Sequence, residues 1–289
     1  MGKDLEHNQS FGLKGTIMKN LCLLVLLLAG NRSVFSQEKK EFSDAIEDNS
    51  YFIEEAYNQE YRVVQHINNM YLTTSPTRNL GYSFTQEWPF FSDKHQLSYT
   101  IQYSWLNSNS VNGIGDMLIN YRYQLFTKEN WAAVSPRLSV IIPTGNSDKG
   151  LGSGRLGWQL NIPVSKRISN GLAVHFNAGG TILPGVKFTD DSGQDYKQTL
   201  HSINVGGSAI WLLTQNFNFM LEYLSTFNYQ PDGMRKMSYN HTGLLNPGIR
   251  YAINIDKLQI VPGLSVPYVF SKDDHSFNLF FYLSFEHPF

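Results

Sequence analysis

The last fourteen residues, Ser276-Phe277-Asn278-Leu279-Phe280-Phe281-Tyr282-Leu283-Ser284-Phe285-Glu286-His287-Pro288-Phe289, decide the architecture. Phe277, Leu279, Phe281, Leu283 and Phe285 share one parity, whereas Ser276, Asn278, Tyr282, Ser284 and Glu286 share the other. Only Phe280 is out of type. A period of two marks a β-strand with one apolar face, because successive side chains point to opposite sides of a sheet. The same alternation recurs upstream. Leu97, Tyr99, Ile101, Tyr103 and Trp105 oppose Ser98, Thr100, Gln102 and Ser104, and Met117, Ile119, Tyr121, Tyr123 and Leu125 oppose Asn120, Arg122 and Gln124. Val134, Leu138, Val140 and Ile142 repeat it, then Leu156, Trp158, Leu160, Ile162 and Val164, then Leu258, Ile260, Leu264, Val266, Tyr268 and Phe270. Weaker versions cover residues 62–72, 80–91, 172–184, 198–214, 217–229 and 239–253. No stretch sustains a 3.6-residue period. The pattern predicts an all-β chain of about twelve strands, within a range of about 10–14.

Composition narrows the class. Of 289 residues, 42% are hydrophobic, 14% aromatic and 16% charged, whereas soluble domains carry about 25% charged residues. So many aromatics exclude disorder. A net charge of −1 argues against nucleic acid as a partner. A single cysteine excludes a disulfide framework or a cysteine-based metal site, and neither metal nor cofactor is expected. The mean hydropathy of −0.28 excludes a helical membrane bundle.

Periodicity alone does not say which face is inside. A soluble sandwich or barrel hides its apolar face, while a transmembrane barrel turns it to lipid. Four features favour the membrane. The alternating segments exceed the usual 5–6 residues and reach the 9–11 that a membrane strand needs. Tight connections near residues 92–94, 127–130, 169–171, 214–216 and 254–257 alternate with longer links at 107–115, 143–155, 184–199 and 229–240. That asymmetry predicts short periplasmic turns and longer extracellular loops, with both termini on the periplasmic side. Trp88, Trp131 and Trp211 fall near the short-turn ends and Trp105 and Trp158 near the others, as expected of two interfacial girdles. Finally, the chain stops at Phe289, on the outward parity of the last strand, like the signal by which bacterial barrels reach their assembly machinery. The fold expected is a closed antiparallel β-barrel in the outer membrane of a Gram-negative bacterium. Its partners would be membrane lipids, that machinery and a small solute, and it would act as a monomer.

The N-terminus reads as an address. Met18-Lys19-Asn20 precedes a short apolar run at residues 21–29, and Val34-Phe35-Ser36 supplies compact residues at a cleavage site. Residues 1–36 are therefore expected to be an extension and signal peptide, with Met18 the better start and cleavage after Ser36. Cys22 would leave with it. Residues 37–60, with eight acidic and two basic positions, are expected to be an acidic periplasmic leader, and 61–289 the barrel. The stretch 51–61 is ambiguous between a short helix and the approach to a strand.

Gly113-Ile114-Gly115-Asp116, Ser135-Pro136-Arg137, Ile142-Pro143-Thr144-Gly145, the glycine-rich residues 150–154 and Trp158 carry a family pattern. With these residues the chain resembles the outer-membrane family of phenol-degradation MetA-pathway proteins, across most of residues 50–289. The resemblance implies a small outer-membrane barrel that takes up small, hydrophobic or aromatic compounds. It brings no defined catalytic residues.

Candidate lumen residues are the few charges on the polar parity. Glu87, Arg122, Arg137, His175, Glu222 and Arg250 each lie about five or six residues from a short turn, which places them in one belt. The belt is either a mixed-sign filter for solutes or a salt-bridged plug of a narrow barrel. Residues 145–154 lack a Gly-Lys-Ser/Thr sequence, so they read as a mobile outer loop, not a phosphate cradle. Asp190, Asp191 and Asp195 miss calcium-loop spacing. No catalytic residue is assigned. One alternative is a lipid hydrolase using Ser225 on the outer wall: pairing Ser225 near Gly206 leaves His201 about five residues away, too far for a hydrogen bond, while His241 is closer in register; a non-catalytic surface scaffold is another.

Overall fold

The computed structural model describes Ile46, residues 50–106, Ser108 and residues 110–231, 235–272 and 274–289. Twelve strands form one sheet. They are β1 (Val63–Thr73), β2 (Asn79–Phe90), β3 (Ser92–Leu106), β4 (Val111–Ile114 and Met117–Tyr123), β5 (Ala133–Val134 and Arg137–Ile142) and β6 (Gly157–Ser169). Then come β7 (Leu172–Thr189), β8 (Asp195–Leu212), β9 (Phe217–Pro231), β10 (Met237–Tyr251 and Ile253–Ile255), β11 (Leu258–Ser265 and Tyr268–Ser271) and β12 (His275–Phe277 and Leu279–Pro288). Each strand is antiparallel to its neighbours in sequence, and β12 returns to β1, from Val63 opposite Pro288 to Leu72 opposite Leu279. The sheet thereby closes. Closure is what a bilayer demands, because an open edge would present unpaired N–H and C=O groups to hydrocarbon.

The two faces are inverted relative to a soluble protein. Ile119, Leu138, Leu160, Ile162, Phe176, Ile203 and Phe281 are exposed on the outside, while Gln96, Asn120, Arg122, His175, Glu222 and Arg250 are buried within. Trp88 and Trp211 lie near the short-turn end, and Trp105 and Trp158 near the other. Trp131, in the 124–132 connection, is 82% exposed and carries the Lys166 ammonium 4.0 Å above its ring. Phe289 is 68% exposed and donates its N–H to the carbonyl of Arg62.

The longer links differ in kind from open loops. β7 and β8 run on to Thr189 and Asp195, so the link expected at 184–199 shrinks to residues 190–194. Asp190 closes that turn. Its carboxylate accepts from the Ser192 hydroxyl and the N–H of Ser192 and Gln194, and it pairs with Arg235 at 2.7 Å. The Ser192 hydroxyl, then the Gln194 amide and Arg235, hold its pKa down at about 2. Among the described residues no cluster of His, Cys, Asp or Glu is arranged for a metal ion.

Residues 145–154, expected to be mobile, are pinned. Asp116 accepts from the N–H of Gly145 at 3.1 Å and from the N–H and hydroxyl of Ser153, both at 2.7 Å. Leu151 lies over Gly113 and Gly115, and a Cβ at Gly152 would strike the Asp116 carboxylate. Gly145 and Gly152 thus lie against one carboxylate, that of Asp116. Asp116→Ala should release this loop: amide exchange across residues 145–154 should accelerate at least tenfold, since hydrogen bonds to a charged group contribute about 1.5–3 kcal/mol each. Unchanged exchange would count against Asp116 as the anchor.

Candidate functional site

Residues 50–60 are neither helix nor strand. They run through the lumen as an irregular segment, with Ile46 before them and β1 after. A buried backbone without secondary structure must find partners for its N–H and C=O groups elsewhere. Here the barrel wall supplies them. One carboxylate oxygen of Glu222 accepts the successive N–H groups of Tyr51, Phe52 and Ile53 at 3.0, 2.9 and 3.1 Å. Asn177 accepts from the N–H of Glu54 and donates to its carbonyl. Ser165 accepts from Ala56, Gln124 from Asn58, and Gln96 from Gln59. Gln124 and Ser135 donate to the carbonyl of Ala56.

The arginines hold both backbone and side chains. Arg122 donates to the carbonyls of Glu55 and Tyr57, to the Asn58 side chain and to the Glu55 carboxylate at 3.2 Å. Arg137 grips the Glu54 carboxylate through two nitrogens. Arg250 and Asn218 donate to the carbonyl of Ile46.

Apolar contacts complete the seat. Phe280 packs against Phe52 and Tyr51, with ring centroids 4.9 and 5.2 Å apart, and Tyr282 lies 5.5 Å from Tyr51. Phe280 breaks the alternation of β12 because it faces this segment and not water. Glycines make room where the segment presses on the wall. A Cβ on Gly248 or Gly263 would collide with the Tyr51 ring, and one on Gly206 would lie 2.6 Å from Ile53. Burial, reinforced by Glu222 and opposed by Arg250, pushes the Tyr51 phenol upward.

All six expected lumen charges surround this segment. Glu222, Arg122, Arg137 and Arg250 bind it directly. His175 meets the Tyr57 ring edge-on at 6.1 Å and bonds Ser165 at 2.6 Å. Glu87 acts through Gln96, which bonds both the Glu87 carboxylate and the N–H of Gln59. Sequence reasoning placed residues 50–60 in a leader outside the barrel; they lie inside it because the lumen wall offers the partners that their backbone lacks. It also missed Gln96, Gln124, Ser165, Asn177 and the glycine seats. Isolated glycines within strands, which often mark close approach of another backbone, were the available signal.

A cavity of about 250 Å³ remains above the segment. Its floor includes Phe52, Ile53 and Glu54, and its walls include Ile67, Asn69, Glu87, Asn120, Arg137 and Tyr282. The side-chain oxygen of Asn69 has no hydrogen-bond partner there. On the opposite face of the wall, Ser225 bonds His241 at 2.7 Å. His201 lies instead against Tyr229, with ring centroids 4.6 Å apart.

A closed barrel with an apolar exterior and a polar, occupied interior defines an outer-membrane β-barrel of the Gram-negative envelope. Similar folds occur among solved structures. An outer-membrane channel from Pseudomonas putida F1 matches with a TM-score of 0.60 at 13% identity, covering 84% of this chain and 99% of that one. The NanC porin matches with a TM-score of 0.51 at 10% identity, covering 78% and 100% respectively. No family model and no curated protein sequence matches the chain.

Two outcomes follow from the seat. Glu222→Gln replaces a charged acceptor with a neutral one, so amide exchange at Tyr51, Phe52 and Ile53 should speed up about tenfold while the strands stay protected. Arg137 holds the Glu54 pKa down, outweighing the upward push of burial. A carboxyl whose pKa is lowered on docking favours the docked state above its free pKa of 4.5 and loses that contribution as pH falls through the lowered value. Exchange at residues 52–56 should therefore rise as pH drops below about 4.5, after correction for intrinsic exchange, and Glu54→Gln should flatten that rise.

Proposed function

We propose that this chain is a passive outer-membrane channel for small solutes, closed at rest by its own N-terminal segment. The observation that carries the reading is the way residues 50–60 are held. They enter from the end near the short turns, make only non-covalent contacts, and leave a solute-sized cavity open above them. A segment anchored mainly by hydrogen bonds can be displaced without opening the sheet. The belt of Glu87, Arg122, Arg137, His175, Glu222 and Arg250 is then the latch of the channel and, once the segment moves, the lining that filters solutes.

The cavity is lined by apolar and charged side chains alike, Glu54, Glu55, Glu87, Arg122 and Arg137 among the latter, and suits a small molecule that pairs an apolar face with a hydrogen-bond donor. Ile67, Phe52 and Tyr282 offer apolar surface, while the Asn69 oxygen and the Glu87 carboxylate are acceptors. A hydroxyl-bearing aromatic compound meets these demands and agrees with the family resemblance. The remaining expectations belong to the same reading: residues 1–36 form an export signal removed after Ser36, the leader approaches from the periplasm, the tryptophans form two girdles, Phe289 serves barrel assembly, and the protein is a monomer.

The test uses a disulfide lock, since the single cysteine of the chain, Cys22, lies in the expected signal. Ser50→Cys with Ser208→Cys joins the segment to the wall where the two hydroxyls already lie 2.8 Å apart. In planar bilayers the oxidised protein should stay closed and reduction should restore openings, whereas Glu222→Ala with Arg137→Ala should open more often than the native chain. Equal, negligible conductance in the reduced, locked and double-variant proteins would overturn the channel reading.

The Ser225–His241 hydrogen bond favours a second reading, a lipid hydrolase, because it pairs a hydroxyl with a base on the lipid-facing wall. Ser225 is itself buried, which leaves little access for an acyl carbon. Phospholipid hydrolysis lost in Ser225→Ala would support this reading; no hydrolysis by the native chain would remove it.

A further inference from the structure

A second cavity, of about 330 Å³, lies at the short-turn end of the barrel. It sits between the 124–132 connection, the end of β6 and Tyr57 of the lumen segment. Lys128, Lys166 and Arg167 line it, together with the Asn130 side chain and the rings of Trp131 and Tyr57. Its lining holds three cations and no carboxylate, although the chain as a whole has a net charge of −1. Glu129 belongs to the same connection but does not line the cavity.

The cations are held in place by local structure. Lys166 sits over the Trp131 ring at 4.0 Å, and Lys128 lies 5.8 Å from the Tyr57 ring. Arg167 donates to the carbonyls of Ser169 and Asn170 in the β6–β7 turn. Lys166 and Arg167 are half-buried, so their charges are less screened than those of free surface lysines.

We propose that this cavity binds a phosphate-bearing anion, supplied by the headgroup of an anionic phospholipid in the periplasmic leaflet. Phosphate offers several acceptor oxygens to the three cations and the Asn130 amide that line the cavity. The position favours a lipid as the source. The cavity opens at the rim of the barrel, and Trp131 is the most exposed tryptophan, as befits a ring at the headgroup level. Basic residues near a membrane surface gain affinity from anionic lipids, about fivefold per cation. One wall of the cavity is Tyr57, whose carbonyl is held by Arg122, so a headgroup here would also brace the lumen segment. The inference does not depend on whether the channel conducts.

The experiment is native mass spectrometry of the delipidated full-length barrel, titrated separately with phosphatidylglycerol, phosphatidylcholine and inorganic phosphate. Phosphatidylglycerol should bind more tightly than phosphatidylcholine, and Lys128→Gln with Lys166→Gln and Arg167→Gln should weaken it about fivefold per charge removed. Heat-modified gel mobility of the variant should match the native protein, which shows that the barrel still folds. Inorganic phosphate binding as tightly as phosphatidylglycerol, and lost in the variant, would assign the phosphate site to a free anion and overturn the lipid source. Equal retention of phosphatidylglycerol by native and variant barrels, or no preference over phosphatidylcholine, would overturn the proposal itself.

Discussion

A stretch of irregular backbone buried inside a protein carries a debt of hydrogen bonds, and the interior of this barrel is organised around that requirement. One oxygen of Glu222 collects three consecutive amide protons, Asn177 meets both polar groups of Glu54, and Arg122 takes the carbonyls of Glu55 and Tyr57 on either side of Ala56. The wall can do this because every second residue of each strand points inward. Twelve strands thus bring side chains from many directions onto one short segment. Removing a single donor would leave a buried partner unsatisfied, which costs about 1–3 kcal/mol.

The barrel and its contents follow different kinds of rule, and this explains what could be read from the sequence. Alternation in β12, β3 and β6 revealed the strands because lipid on one side and polar groups on the other select residues position by position. Strand number followed from that, while face assignment and closure needed the strand lengths, the alternation of short and long connections, the tryptophans and Phe289 as well. The six lumen charges were also legible, since a charge on a membrane strand can only face inward. Their partners were not. Tyr51, Phe52 and Ile53 have no period, and residues 37–60 taken together look like a solvated acidic tail.

Two anomalies in the sequence become intelligible only in three dimensions. Phe280, an aromatic on the polar parity, is the surface on which Phe52 rests. Asp116, between glycines on one side and a strand on the other, is the point where residues 145–154 are tied down. In both cases the partner is distant along the chain, and no local pattern could name it. A departure from strict alternation in a barrel strand is best read as a contact made inside.

The placement of Ile46 and residues 50–60 also has a topological consequence. Ile46 bonds Asn218 and Arg250 close to the β8–β9 turn, and the segment returns to Val63 at the start of β1, near that same end. Residues 50–60 thus begin and end near one mouth, and among the described residues none is threaded through the ring of strands from end to end. For residues 50–60, insertion need not precede closure of the sheet. The cylinder may be sealed first, along the β1–β12 seam, and the segment tucked in afterwards, like a tongue folded back into a closed tube.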